Sequence, residues 1–238
     1  MLNFTTIKKL QTEQKKLDAF IIQKKNLTDT DSHASFIRTK IALLVEIGEL
    51  ANELKTFKHW KSQKDIDWEK AKEELIDCFH FYLSWANSLE IDFSDYKFQK
   101  LVPEADFNEL LLAFFAETNS FSIAIPWNKL KNQMLANFEK NWEEHLNNLE
   151  EKEKNEEKLT KRKEELILIK EKSKKNMEKI NNSFLAEIEF KKNKSCFYRW
   201  LIIFEELAQK LGMKTEKDIE MAYLAKNKKN WERQQQNY

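Results

Sequence analysis

The sequence predicts an all-α protein, on two observations. Two glycines and two prolines in 238 residues leave too few turn residues for a sheet, whose strands need them at short intervals, whereas long helices need them only at their ends. Apolar residues also recur at helical rather than alternating spacing. Composition excludes other classes. A net charge of +1 gives no global field to recruit nucleic acid or an anionic membrane. No apolar run reaches membrane-spanning length. Cys78 and Cys196, both in apolar surroundings, make no disulfide framework. The opening MLNFTTIKKLQTEQKK lacks the apolar core of a signal peptide, so a cytoplasmic protein is expected.

Residues 2–25 place Leu2, Ile7, Leu10, Leu17, Phe20 and Ile21 at helical spacing, which makes them the first helix. NLTDTDSHAS is a polar loop ending in capping residues, and it hands the chain to a long helix predicted from Ser32 to about Trp60. Its centre, IALLVEIGELA from Ile41 to Ala51, is apolar on nearly every side yet carries Glu46 and Glu49. SQKDID breaks the pattern. A second apolar helix follows through EELIDCFHF to about Ser88 and carries Glu74 and Asp77. The two helices are expected to form an antiparallel hairpin that turns the acid pairs face to face. The pattern loosens around Pro103, resumes over 107–121 and breaks at SIAIPW. From Asn128 to Ile180 the chain is mostly charged, and 150–165 has almost nothing to bury, so a solvated helix or arm is expected there. The apolar pattern returns from Phe184 through Trp200 and Leu207 to a helix stop at Gly212. Thr215 and Asp218 then form a capping box for the last helix.

Carboxylates three apart on a helix lie on one face, with Cβ atoms roughly 5–6 Å from each other, and repel. In an apolar helix that arrangement is costly unless a cation relieves it. Taken singly, Glu46, Glu49, Glu74 and Asp77 would be surface residues paired with lysines. Two pairs of identical spacing in the two most apolar helices instead favour a hard-cation site for Mg2+ or Mn2+, and the absence of soft ligands disfavours zinc. Glu53 is assigned to the outer surroundings of the pairs; Glu73, by helical phase, to the surface. The stretch FKHWK, Phe57 to Lys61, mixes rings with cations and can stack a base and face phosphates, or can simply be a helix end with Trp60 half in the core. His80, one turn beyond Asp77, can orient a substrate, although a satisfied core histidine is the commoner outcome. Lys226, Asn230 and Arg233, spaced four and three, share one helical stripe that can grip a polyphosphate or be a basic exposed end.

The order of EIGE, FKHWK, EELID with His80, and a terminal KN-x-x-N-x-x-R ending in a tyrosine resembles the dimeric, all-α dUTPases, relatives of the MazG-type nucleotide pyrophosphohydrolases. The likeness covers residues 10–90 and 196–238 well and 103–190 loosely. It implies a helical bundle of the all-α nucleotide pyrophosphohydrolase type, one domain over residues 1–238, with 103–190 as a variable charged insert and 213–238 as a phosphate-binding C-terminal helix. It implies hydrolysis of dUTP, and of dUDP, to dUMP by water, with Mg2+ held by Glu46, Glu49, Glu74 and Asp77 and with Glu46 deprotonating or orienting the water. By the same resemblance Lys226, Asn230 and Arg233, joined by Lys58 or Lys61, hold phosphates. His80, Trp60 or His59, and Gln14 and Asp18 enclose the uracil and deoxyribose. The sequence departs from the family pattern at Asp18, where Asn is frequent, at Phe57, where Trp is frequent, and at Asn237, where Gly is frequent. A homodimer is implied. Two alternatives stay open: a MazG-type enzyme for another nucleotide such as dCTP, and a helical interaction protein that has kept the fold and lost turnover.

Overall fold

The computed structural model describes residues 1–28, 33–62, 65–100, 105–121, 127–152, 156–181 and 184–236. Among them are eight helices and no strand: α1 (Phe4–Lys24), α2 (His33–Leu54), α3 (Trp68–Ser88), α4 (Phe107–Ser120), α5 (Trp127–Lys152), α6 (Glu156–Asn181), α7 (Phe184–Lys210) and α8 (Glu216–Gln235). Local chemistry marks several of their ends. Asn3 and Asp67 accept from the backbone N–H groups of Thr6 and Lys70 and so cap α1 and α3. Capping boxes of Asp106 with Glu109 and of Thr215 with Asp218 open α4 and α8, the second as expected. Gly212, at φ 92, turns the chain after α7. The expected start of α2 at Ser32, the loosening at Pro103 and the break over 122–126 lie outside the described residues.

α2 ends at Leu54, six residues short of the predicted Trp60. The reason lies in its buried stripe, Leu43, Ile47, Leu50 and Leu54. The next positions on that stripe are Phe57, Lys58 and Lys61, and burying the two lysines unpaired would cost more than burying the one ring gains. Lys55 instead adopts a left-handed φ of 55. FKHWK continues as successive turns, with Lys58 N–H bonded to the Lys55 carbonyl and Lys61 N–H to that of Lys58.

The chain forms two compact units, Met1–Ile123 with Lys192–Tyr238, and Ala124–Lys191. In the first, α2 and α3 pack against each other, and α3 also packs on α1 and α8. The core behind them is aromatic. Tyr82 stacks on Trp200 at 4.0 Å, Phe79 on Phe204 at 4.3 Å and Phe121 on Phe197 at 4.4 Å. Burying each such ring stabilises by roughly 1.5–3 kcal/mol. Their polar atoms are satisfied too: the Trp200 indole donates to Thr118 Oγ1 at 2.9 Å and Tyr82 OH to the Phe197 carbonyl at 2.9 Å. The second unit holds the charged helices α5 and α6 and the first turns of α7; Lys170 and Lys174 join α6 to α5 through Glu139 at 2.6 and 3.0 Å.

Candidate functional site

The acid pairs meet because α2 and α3 run antiparallel. Glu53 meets Lys70 at 2.7 Å near one end of the pair, and Glu46 meets Asp77 further along. Carboxylate oxygens of Glu46, Glu74 and Asp77 all lie within 4.8 Å of one another. Burial pushes the Glu46 carboxyl up to about 7, the negative charges of Asp77, Glu49 and Glu74 add to the push, and Lys226 opposes it. Burial raises Glu74 and Asp77 as well. Three carboxylates held together against both desolvation and mutual repulsion are a group that can take up a cation. An all-oxygen donor set fits Mg2+, which completes its octahedron with water or phosphate oxygens. Glu49 is exposed and stands outside the trio, close enough to raise the pKa of Glu46 and Glu74. Glu53, paired with Lys70, lies one turn further along α2.

α8 crosses this cluster with Lys226, whose side chain is 8% exposed. Its Nζ lies 2.5 Å from Asp77 Oδ2 and 2.7 Å from Glu73 Oε1, while Lys229 reaches the same Glu73 oxygen at 2.8 Å. Burial works to lower the Lys226 pKa, and the hydrogen bonds to Asp77 and Glu73 overcome it. The bonds from Lys226 and Lys229 hold the Glu73 carboxyl down to about 2. Glu73, its side chain 39% exposed, lies at the surface as its helical phase implies, and from there it anchors the lysine that touches the acid trio. Asn230 and Arg233 follow Lys226, both partly buried, and Arg233 lowers the Asp77 pKa.

Beside the trio, α1, α3 and α8 enclose a polar network. Gln14 Oε1 lies 2.7 Å from His80 Nδ1 and 2.7 Å from the Tyr223 hydroxyl, and Gln14 Nε2 donates to Asp18 Oδ1 at 2.8 Å. An amide oxygen only accepts, so the His80 proton sits on Nδ1. Burial pushes His80 down to about 3, which leaves the ring neutral, and Nε2 is buried with no hydrogen-bond partner among the described residues. The ring stacks on Tyr223 at 4.2 Å. Burial pushes Asp18 up to about 6, against hydrogen bonds from Gln14 and Ser84.

Lys58, His59, Trp60 and Lys61 occupy the turns after α2, and the contacts they make are local. Lys58 reaches Asn52 Oδ1 at 3.3 Å and lies over the Phe57 ring, and His59 meets Trp60 edge to face at 5.2 Å. Trp60 is 66% exposed rather than half in the core. The sequence reasoning singled out neither Tyr223 nor the buried Asn227. Their signal was present in α8: Tyr223 lies three residues before Lys226 on the same stripe, and Asn227 is its neighbour.

A model of the dUTPase family matches residues 6–184, a span that holds both acid pairs, Gln14, Asp18 and His80 and stops short of α8. No curated protein and no solved structure matches the chain.

Proposed function

Because the chain belongs to the dUTPase family and is a dUTP diphosphatase, we propose that it forms dUMP from dUTP, and from dUDP, by Mg2+-assisted attack of water on the phosphate chain. What supports this is the convergence of Glu46, Glu74 and Asp77 within 4.8 Å on oxygen ligands alone. These three, with Glu49 at the exposed rim, would hold Mg2+. The ion would supply neutralisation of charge along the phosphates. Glu46 orients the attacking water and takes its proton, a carboxylate at the centre of the trio being placed for that transfer. Lys226, Asn230 and Arg233 hold phosphate oxygens from α8, and Lys58 or Lys61 adds a cation from the turns after α2. Neutral His80 offers its Nε2 lone pair to a donor on the nucleoside, and Gln14 and Asp18 fix the ring from α1. Trp60 or His59 covers the base. α8 lies outside the span matched by the family, so its share rests on the contact of Lys226 with Asp77.

In the same proposal residues 1–238 act as one dUTPase-like domain, with 103–190 as its insert and 213–238 as its phosphate-binding helix, and the chain works as a homodimer. The test is pyrophosphate release from each dNTP, and phosphate release from dUDP, with Mg2+. The expected result is fastest turnover of dUTP, none in EDTA, and a kcat for Glu46→Gln lower by about 10²–10⁴-fold. Preference for dCTP would transfer the assignment to a MazG-type sibling, and a Glu46→Gln rate equal to wild type would remove these carboxylates from the chemistry.

A further inference from the structure

Resting on the assignment of Glu46, Glu74 and Asp77 as the cation site, we propose that Lys226 is the site's built-in counter-ion and that Glu73 is a positioning residue that draws it off Asp77 when a divalent cation enters. Lys226 Nζ touches both acids at once, Asp77 Oδ2 at 2.5 Å and Glu73 Oε1 at 2.7 Å. The two acids are one turn apart on α3, so the ammonium can pass from one to the other by rotating its own side chain. An ammonium on Asp77 Oδ2 and a divalent ion on the same carboxylate compete for its charge and repel each other. Like charges at such a separation repel strongly near a protein surface. A lysine held this deep in the fold also cannot be left without a partner.

Glu73 is built to receive it. Its carboxyl already holds Lys229 at 2.8 Å as well as Lys226 at 2.7 Å. Glu73 and Lys226 also border a groove of about 600 Å³ between α3 and α8, floored by Ile76, Met213 and Ala222, which gives the moving stem an apolar surface to lie along. The lysine thus answers two needs with one charge. Without the cation it neutralises Asp77; with the cation it is parked on Glu73, one rotation away from the phosphates that α8 is to hold.

Calorimetric titration of the full-length chain with Mg2+ alone, without nucleotide, tests this. Lys226→Met removes the competing charge and is expected to tighten Mg2+ binding about 5–10-fold. Glu73→Gln takes from the displaced lysine its receiving partner and is expected to weaken Mg2+ binding about 3–10-fold, with Glu73→Asp recovering most of the loss. Opposite signs for two neighbouring substitutions, and rescue by the shorter acid, are not what general loosening of the fold would produce. Equal Mg2+ affinity for wild type, Lys226→Met and Glu73→Gln would overturn the counter-ion role and leave the cation site standing. A wild-type protein that binds no Mg2+ would overturn both.

Discussion

Asp18 stands where the family often has asparagine, and the structure shows what the extra charge does. Burial raises its carboxyl from 3.8 to about 6. A carboxyl that binds its proton more tightly when folded makes stability depend on pH: the contribution is fully present below pH 3.8 and is lost as pH rises through about 6. At pH 7 the ionised side chain is a liability of roughly 3 kcal/mol. Asp18→Asn keeps an acceptor for Gln14 Nε2 and removes the charge. It is expected to raise stability by that amount at pH 7, to leave it unchanged near pH 3, and to flatten the difference in urea midpoints across pH 4–6. A wild-type slope retained in the variant would place the titration elsewhere, in Glu46 or Glu205, both also raised by burial to about 7. Gln14, Asp18 and His80 could be assigned to one place from the sequence because the family likeness names them. Tyr223, which ties Gln14 to α8, could not, because its role exists only once α8 is docked beside α1 and α3.

At the scale of elements, the helical pattern was legible wherever one face is buried and least legible where a helix stops. α3 ends at Ser88 and α4 covers 107–120, close to their expected bounds, because each stripe runs out together with its capping residues. α2 was read six residues too long because Phe57 and Trp60 look like core residues, whereas the two lysines between and after them decide the outcome. Three ends turn left-handed without glycine, at Asn26, Lys55 and Glu90. Asn tolerates that conformation; Glu does not. Glu90, exposed just past α3 at φ 54, spends about 1 kcal/mol on it. Glu90→Gly is therefore expected to stabilise the protein by about 0.5–1 kcal/mol, visible as a higher denaturation midpoint, with Glu90→Ala showing no gain. Equal midpoints for all three proteins would mean that the turn carries no strain.

At the scale of the molecule, one feature of the sequence remains unspent in a single chain. The centre of α2 is apolar on nearly every side, which ordinarily marks a helix covered on every side. In the structure only the stripe through Leu43, Ile47 and Leu50 is covered. Ile41 and Val45, one turn apart, are 54% and 51% exposed, and at Gly48 an added Cβ would meet nothing. Apolar residues at that spacing on the helix that carries Glu46 and Glu49 offer a face that a partner could cover. In the proposed homodimer a second copy would cover it. Light scattering at micromolar concentration is expected to give twice the chain mass of 28.6 kDa. Val45→Lys, outside the acid trio and on the exposed side, is expected to shift that mass toward one chain, because a lysine buried against an apolar partner face costs several kcal/mol. A wild-type protein that scatters as a single chain would rule out the dimer and leave Ile41 and Val45 as unpaired surface. A Val45→Lys dimer as tight as wild type would place the interface on another face.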